Sequence, residues 1–292
     1  MCSSARSCDA WLTYRDAYAR WLEAHPPLNE MSMNAIAASP VRWYKRPRPT
    51  TAPSGFSARL DEALELLREA SRHSPCVFAH SLSAEDMVIF HLIVEHHFPI
   101  QSFALDTGKL PEATLDLWSR AETIYSTRIE RVSPAEASVD ALVAMSADSA
   151  LYESKSVRLR CCELRKTEPL RAVLAGKQAW VTGLRRAQSV GRATMNASEF
   201  DHGFQLYKFS PLINWTDEDV WYFTDKYKIP YNVLYGKGYA SIGCNPCTRP
   251  IRESEPARAG RWWWEQTDPN AIKSECGIHV SAHPSSTSKE VQ

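Results

Sequence analysis

The stretch "CVFAHSLSAEDMVIFHLIVEHHF", residues 76–98, decides how the chain folds. Its opening is a short apolar run of the kind buried on both faces of a parallel sheet, and its second half is apolar over a helical length. Between them lies the polar turn "HSLSAED" (80–86), in which Ser83 and Asp86 have the Ser-x-x-acid spacing of a helix start. A strand that runs through a tight turn into a helix is the opening unit of a doubly wound sheet.

Working outward, "FSARLDEALELLREASRH" (56–73) places apolar residues at helical spacing ahead of that strand. The pattern repeats in "IQSFALDTGKL" (100–110), in the helical "SKSVRLRCCELRKTEPLRAVLAG" (154–176) and in "KQAWVTGLRR" (177–186). The fold class read from this alternation is α/β, a doubly wound and mostly parallel sheet, continuing to about residue 235. Ligands of such sheets bind at the carboxyl ends of the strands. Residues 1–58 read as an N-terminal extension, with an amphipathic piece "WLTYRDAYARWLEA" and a Pro- and Arg-rich linker "SPVRWYKRPRPTTAPSG". Residues 59–250 read as the nucleotide-binding domain, and 251–292 as an irregular C-terminal segment whose polar end is expected to be disordered.

Lys and Arg number 34 and so do Asp and Glu, so no global field draws the chain to nucleic acid or to a membrane surface. No run of eighteen apolar residues occurs, and the N-terminus lacks a secretory signal pattern; the expectation is a cytoplasmic protein. In that compartment the eight cysteines read as metal ligands or reactive thiols rather than disulfides.

Cys161 and Cys162 are adjacent, and "SIGCNPCTRP" (241–250) supplies a second doublet, Cys244 and Cys247. Four thiolates suffice for one tetrahedral zinc or one iron-sulfur cluster. Consecutive side chains on a helix diverge by about 100°, which suits the separate corners of a cubane better than a single ion, although spacing alone leaves zinc and unliganded thiols open. Cys276 in "KSECGIH" is left over, either a tail cysteine without a role or a nucleophile helped by Lys273 and His279.

The turn at 80–86 could receive phosphate on the amides of the following helix, with Ser81 and Ser83 adding hydroxyls; it is not a Walker-type loop, having no glycine and no lysine. Arg185, Arg186 and Arg192, then Arg165 and Lys166, then Arg258 and Arg261, form three basic groups in expected loops. Each alone reads as solvated charge, whereas several beside strand ends could hold a small polyanion. "RWWWE" (261–265) reads first as packing.

Together "HSLSAED", "LDTGKL", "CCELRKTEPLR", "VTGLRRAQS", "PYNVLYGKGYASIGCNPCTRP", "RAGRWWWE" and "ECGIH" closely resemble the assimilatory adenylyl-sulfate (APS) reductases, over about residues 60–280 and in the same order. The resemblance implies an adenine nucleotide alpha-hydrolase-like fold and one [4Fe-4S] cluster on Cys161, Cys162, Cys244 and Cys247. It implies reduction of APS to sulfite and AMP through an S-sulfocysteine on Cys276, resolved by a separate thioredoxin, with a homo-oligomer allowed. By motif, Ser81 and Ser83 would meet phosphate or sulfate, and Leu105, Asp106, Thr107 and Gly108 would line the nucleotide pocket. Lys166 would link cluster and substrate, Arg185, Arg186, Arg258 and Arg261 would grip the anion, and His279 would orient the tail. The sequence departs from the family pattern at Ser83, at Ala187 and in "GKLPEATL". The cysteine doublets favour APS over PAPS as substrate.

Overall fold

The computed structural model describes residues 42–145 and 150–265. After helix α1 (Phe56–Arg72) come β1 (Cys76–Ala79), α2 (Ala84–Glu95), β2 (Gln101–Leu105), α3 (Glu112–Tyr125) and β3 (Glu130–Val132). Two helices, α4 (Glu136–Met145) and α5 (Ala150–Glu153), lead to α6 (Lys155–Cys162), a π-helical turn (Glu163–Thr167) and α7 (Glu168–Leu174). The strands and α-helix that follow are β4 (Ala179–Val181), β5 (Ser198–Asp201), β6 (Leu206–Phe209) and α8 (Asp217–Lys226).

The strand order is β3-β2-β1-β4-β6-β5, parallel except for the antiparallel edge pair β5 and β6. Val77 lies opposite Gln101 of β2 and Trp180 of β4. The chain leaves β1 toward β2 and later returns on the other side as β4, so the direction of winding reverses between β1 and β4. That reversal opens a crevice at the carboxyl ends of these two strands.

Strand periodicity separates the core into two layers. Phe78, Ala104, Ala179 and Val181 face α1, α2 and α8, with Trp215 and Phe223 in the same cluster. Val77, Phe103, Trp180 and Leu206 face Leu170 and Leu174 of α7. Helix α2 is buried along most of its length, from Ala84 to Ile93, which is why its sequence is apolar on every side rather than striped.

The stretch 155–174 holds a feature that helical periodicity does not announce. Pro169 has no N–H, and in a regular α-helix its ring would clash with the carbonyl of Arg165. The backbone instead widens by one residue, with Glu168 N–H bonding Glu163 O. The expected linker also differs from its reading: from residue 42 on it packs against the C-terminal segment, Tyr44 N donating to Ile251 O (3.0 Å) and Glu253 N to Arg42 O (3.0 Å).

Candidate active site

The turn after β1 is held from within. Ser83 caps α2, its Oγ accepting from Asp86 N (3.3 Å), as the spacing predicts. The Asp86 carboxylate accepts from both Ser81 N (2.7 Å) and Ser81 Oγ (2.5 Å). Ser81, read as a phosphate contact, therefore has both donors engaged by the protein. Leu82 between them sits in the left-handed region (φ 61°) with its N–H on His80 Nδ1 (2.9 Å). Such a conformation costs of order 1–3 kcal/mol and is retained where surroundings fix it. Burial pushes His80 down to about 3, keeping the ring neutral, and pushes Asp86 up to about 7 against the Ser81 hydrogen bonds. A Cβ on Gly183, just beyond β4, would lie 1.9 Å from Asp86 Oδ1, so this close approach needs glycine.

Arg185, read as an anion grip, is occupied as well. Its Nε and Nη2 donate to Glu85 Oε1 (3.0 and 2.7 Å), Nη2 also to Asp217 Oδ1 (2.5 Å), and Nη1 to Trp215 O (3.1 Å). Burial raises the Glu85 carboxyl, but the Arg185 charge and its hydrogen bonds outweigh it, so Glu85 is held below its usual range. Arg185 thus ties the first turn of α2 to the start of α8. Arg186 does not line the cleft: it donates to Met195 O (2.9 Å) and to Asn214 Oδ1. Arg192 does line it, beside Gln188.

The loop after β2 joins this wall to the thiols. Asp106 Oδ1 accepts from Gly108 N (3.0 Å) and Oδ2 from Arg131 (2.7 Å), which shapes the turn but keeps both residues off the cleft surface. Thr107 is 1% exposed; its carbonyl accepts from Arg165 Nη1 (2.7 Å) and its hydroxyl lies 3.3 Å from Cys244 Sγ. One threonine so touches both the π turn and the Cys-x-x-Cys loop. Arg261 reaches back over that loop to Ser241 Oγ (3.2 Å) and Ile242 O (3.3 Å), room that Gly243 leaves by lacking a Cβ.

These parts enclose a cleft of about 290 Å³ at the reversal point. Ser81, Ser83, Leu105, Thr107 and Arg185 line it on the strand-end side. Lys166, Arg258, Arg261 and Cys244 line it on the other. Cys161, Cys162 and Cys247 stand behind that second wall, and Cys276 and His279 lie outside the described residues. Tyr44, Tyr235 and Asp217 also line the cleft, and none of them was singled out from sequence. Asp217 could have been found as a first-turn acid of α8 after the cap Thr216.

Burial pushes the Cys247 thiol up to about 12, with the Cys244 charge adding and Lys166 and Arg261 opposing; burial likewise raises Cys161, against Arg165 and Lys166. The thiols are thus near enough to act on one another, yet among the described residues no three His, Cys, Asp or Glu side chains gather tightly enough to hold a single metal ion. A cubane takes four separate sulfurs, one at each of its corners. Around it, Trp262 packs against Cys244 and Cys247 in a small separate core, with Trp264 against it. The buried Nε1 groups of Trp262 and Trp264 and the Thr167 hydroxyl have no acceptor among the described residues. Buried indole donors beside Cys244 and Cys247 fit a cofactor that brings its own acceptors, as cluster sulfides do.

No helix among the described residues is long and apolar enough to cross a membrane. Residues 75–250 match the model of the phosphoadenosine phosphosulfate reductase domain. The chain is 44% identical over 249 residues to an adenosine 5'-phosphosulfate reductase of Allochromatium vinosum, covering 82% of this chain and 96% of that one. It is 45% identical over 223 residues to the enzyme of the same name from Burkholderia cepacia, covering 76% and 87%. A crystal structure of phosphoadenylyl-sulfate reductase from Candida auris superposes with a TM-score of 0.54 at 22% identity, over 68% of this chain and 98% of that one, and shares the fold. Sequence and topology agree, and the chain belongs to the phosphoadenosine phosphosulfate reductase family, in its adenosine 5'-phosphosulfate reductase group.

Proposed function

We propose that the chain reduces APS to sulfite and AMP, with Cys276 as nucleophile and a thioredoxin dithiol as reductant. The observation that carries this reading is the meeting of a cationic wall, Lys166, Arg258 and Arg261, with Cys244 at one end of a crevice placed for a nucleotide. Cationic side chains there would offset the charge that accumulates between sulfate and phosphate as the bond between them breaks.

Cys276 as thiolate attacks the sulfuryl sulfur, a Cys–S bond forms, and the bond from sulfur to the phosphate oxygen breaks with its electron pair leaving on AMP. A thiolate of thioredoxin then attacks Cys276 Sγ; sulfite leaves with the S–S electron pair, and the second thiol closes thioredoxin's disulfide and returns Cys276. The dithiol supplies the two electrons. Residues Cys161, Cys162, Cys244 and Cys247 would hold a [4Fe-4S] cluster, which when bound supplies fixed charge beside the anion and a tie between two segments. Thr107 and Arg165 hold the π turn and the Cys244 loop in register for it. His279 would orient the tail toward the cationic wall.

The test is sulfite release by anaerobically purified protein with thioredoxin, given APS or PAPS. The reading expects turnover of APS, and its loss in Cys276→Ser with the visible cluster absorbance unchanged. Full activity in Cys276→Ser would remove Cys276 from the mechanism.

A further inference from the structure

The segment just before α1 lies outside the matched domain and still enters the cleft. Its main chain pairs with residues 251–253, and Trp43 and Arg252 form an isolated antiparallel bridge. Three residues on, the Arg46 side chain is 7% exposed and binds both Asp225 oxygens (2.9 Å each) and Tyr231 Oη (3.2 Å). Its guanidinium also stacks 4.6 Å from the Trp221 ring centre and 4.8 Å from that of Tyr231. The strap is therefore fixed on both sides of Tyr44, and Tyr44 turns a half-buried ring into the cleft beside Trp221 and Tyr235. Burial first, then the charges of Asp217 and Glu85, push the Tyr44 phenol up to about 12, so it stays a hydroxyl able to donate and to accept.

The two ends of the cleft differ in charge. Lys166, Arg258 and Arg261 stand at the Cys244 end, whereas the Tyr44 end carries the carboxylates Glu85 and Asp217, offset by Arg185 and by Arg192 beside Gln188. An anionic group belongs to the first end. An uncharged, hydrogen-bonding and partly aromatic group belongs to the second. We infer that Tyr44, delivered by the strap, is a substrate-binding residue for the nucleoside part of the ligand. This rests on the nucleotide reading of the cleft.

The test is calorimetric titration of the cluster-loaded protein with AMP and, separately, with adenosine. Removing one hydroxyl contact in Tyr44→Phe should weaken both ligands by the same factor, roughly five- to tenfold. Arg46→Ala, which loosens the strap at a residue that does not itself line the cleft, should weaken both in parallel. Unchanged affinity for both ligands in Tyr44→Phe would overturn the inference, and a loss confined to AMP would overturn it by placing the hydroxyl on the phosphate. If the unaltered protein binds neither ligand, the nucleotide reading itself fails.

Discussion

At the wall built from the ends of β1 and β4, the charged groups are matched from within the chain: Asp86 by Ser81, and Arg185 by Glu85 and Asp217. At the thiol wall, indole N–H groups and a threonine hydroxyl are buried without acceptors among the described residues, and burial raises the Cys161 and Cys247 thiols. The first wall pairs its ionic groups from within, while the second sets buried indole donors beside Cys244 and Cys247. The proposed nucleotide crevice and the proposed cluster thus rest on different walls, and substitutions should separate the two.

The largest effect belongs to the thiol wall. Cys162→Ser should lose iron and sulfite formation, measured by metal analysis and activity, while AMP affinity falls less than about tenfold, because the crevice does not depend on the cluster for its own bonds. Loss of AMP binding in parallel with iron would erase the distinction between the walls.

Next is Arg185→Ala, which strands Glu85 in the interior without its counter-charge. Removing one partner of a buried pair costs about 3–5 kcal/mol, so chemical denaturation should show a loss of that size, with iron per folded chain unchanged.

A smaller effect, graded by pH, concerns Asp86. Its pKa is raised from 3.8 in the free side chain to about 7 in the fold, so the native state binds the extra proton and stability from this group is present below about pH 4 and lost as pH rises through 7. Asp86→Asn should remove that slope, an upper bound of ~4 kcal/mol over the window. His80, lowered to about 3, acts with the opposite sign in both proteins and cancels in the difference. A melting-temperature difference between Asp86→Asn and the parent that stays flat from pH 4 to pH 8 would contradict the assignment.

The smallest effect probes the link between the walls. Thr107→Val deletes the hydroxyl shared by Cys244 Sγ and Lys109 N, and should cost about 1 kcal/mol while shortening the lifetime of the cluster absorbance in air.

What the sequence disclosed and what it hid follow from range. The apolar run at 76–79, the helix after it and the Ser83 cap are local, so periodicity and spacing reveal them. The cysteine doublets are legible for the same reason. The π turn had a local signal in Pro169 that helical spacing overrode. Partners were hidden where they are distant: Arg185 reads as free charge until Glu85, a hundred residues away, is beside it. Tyr44 sits in a Pro-rich stretch whose order comes from residues 251–253 and 225–231, so nothing near it in the chain marks it. Gly183 reads as a turn residue until Asp86 Oδ1 shows why no side chain fits.

The most direct test of the proposed chemistry is the intact mass of the anaerobic protein after exposure to APS with no reductant present. The account predicts an added mass of one sulfo group, located on Cys276 by peptide mapping and absent from Cys276→Ser. An unmodified chain, or an adduct that persists in Cys276→Ser, would contradict it.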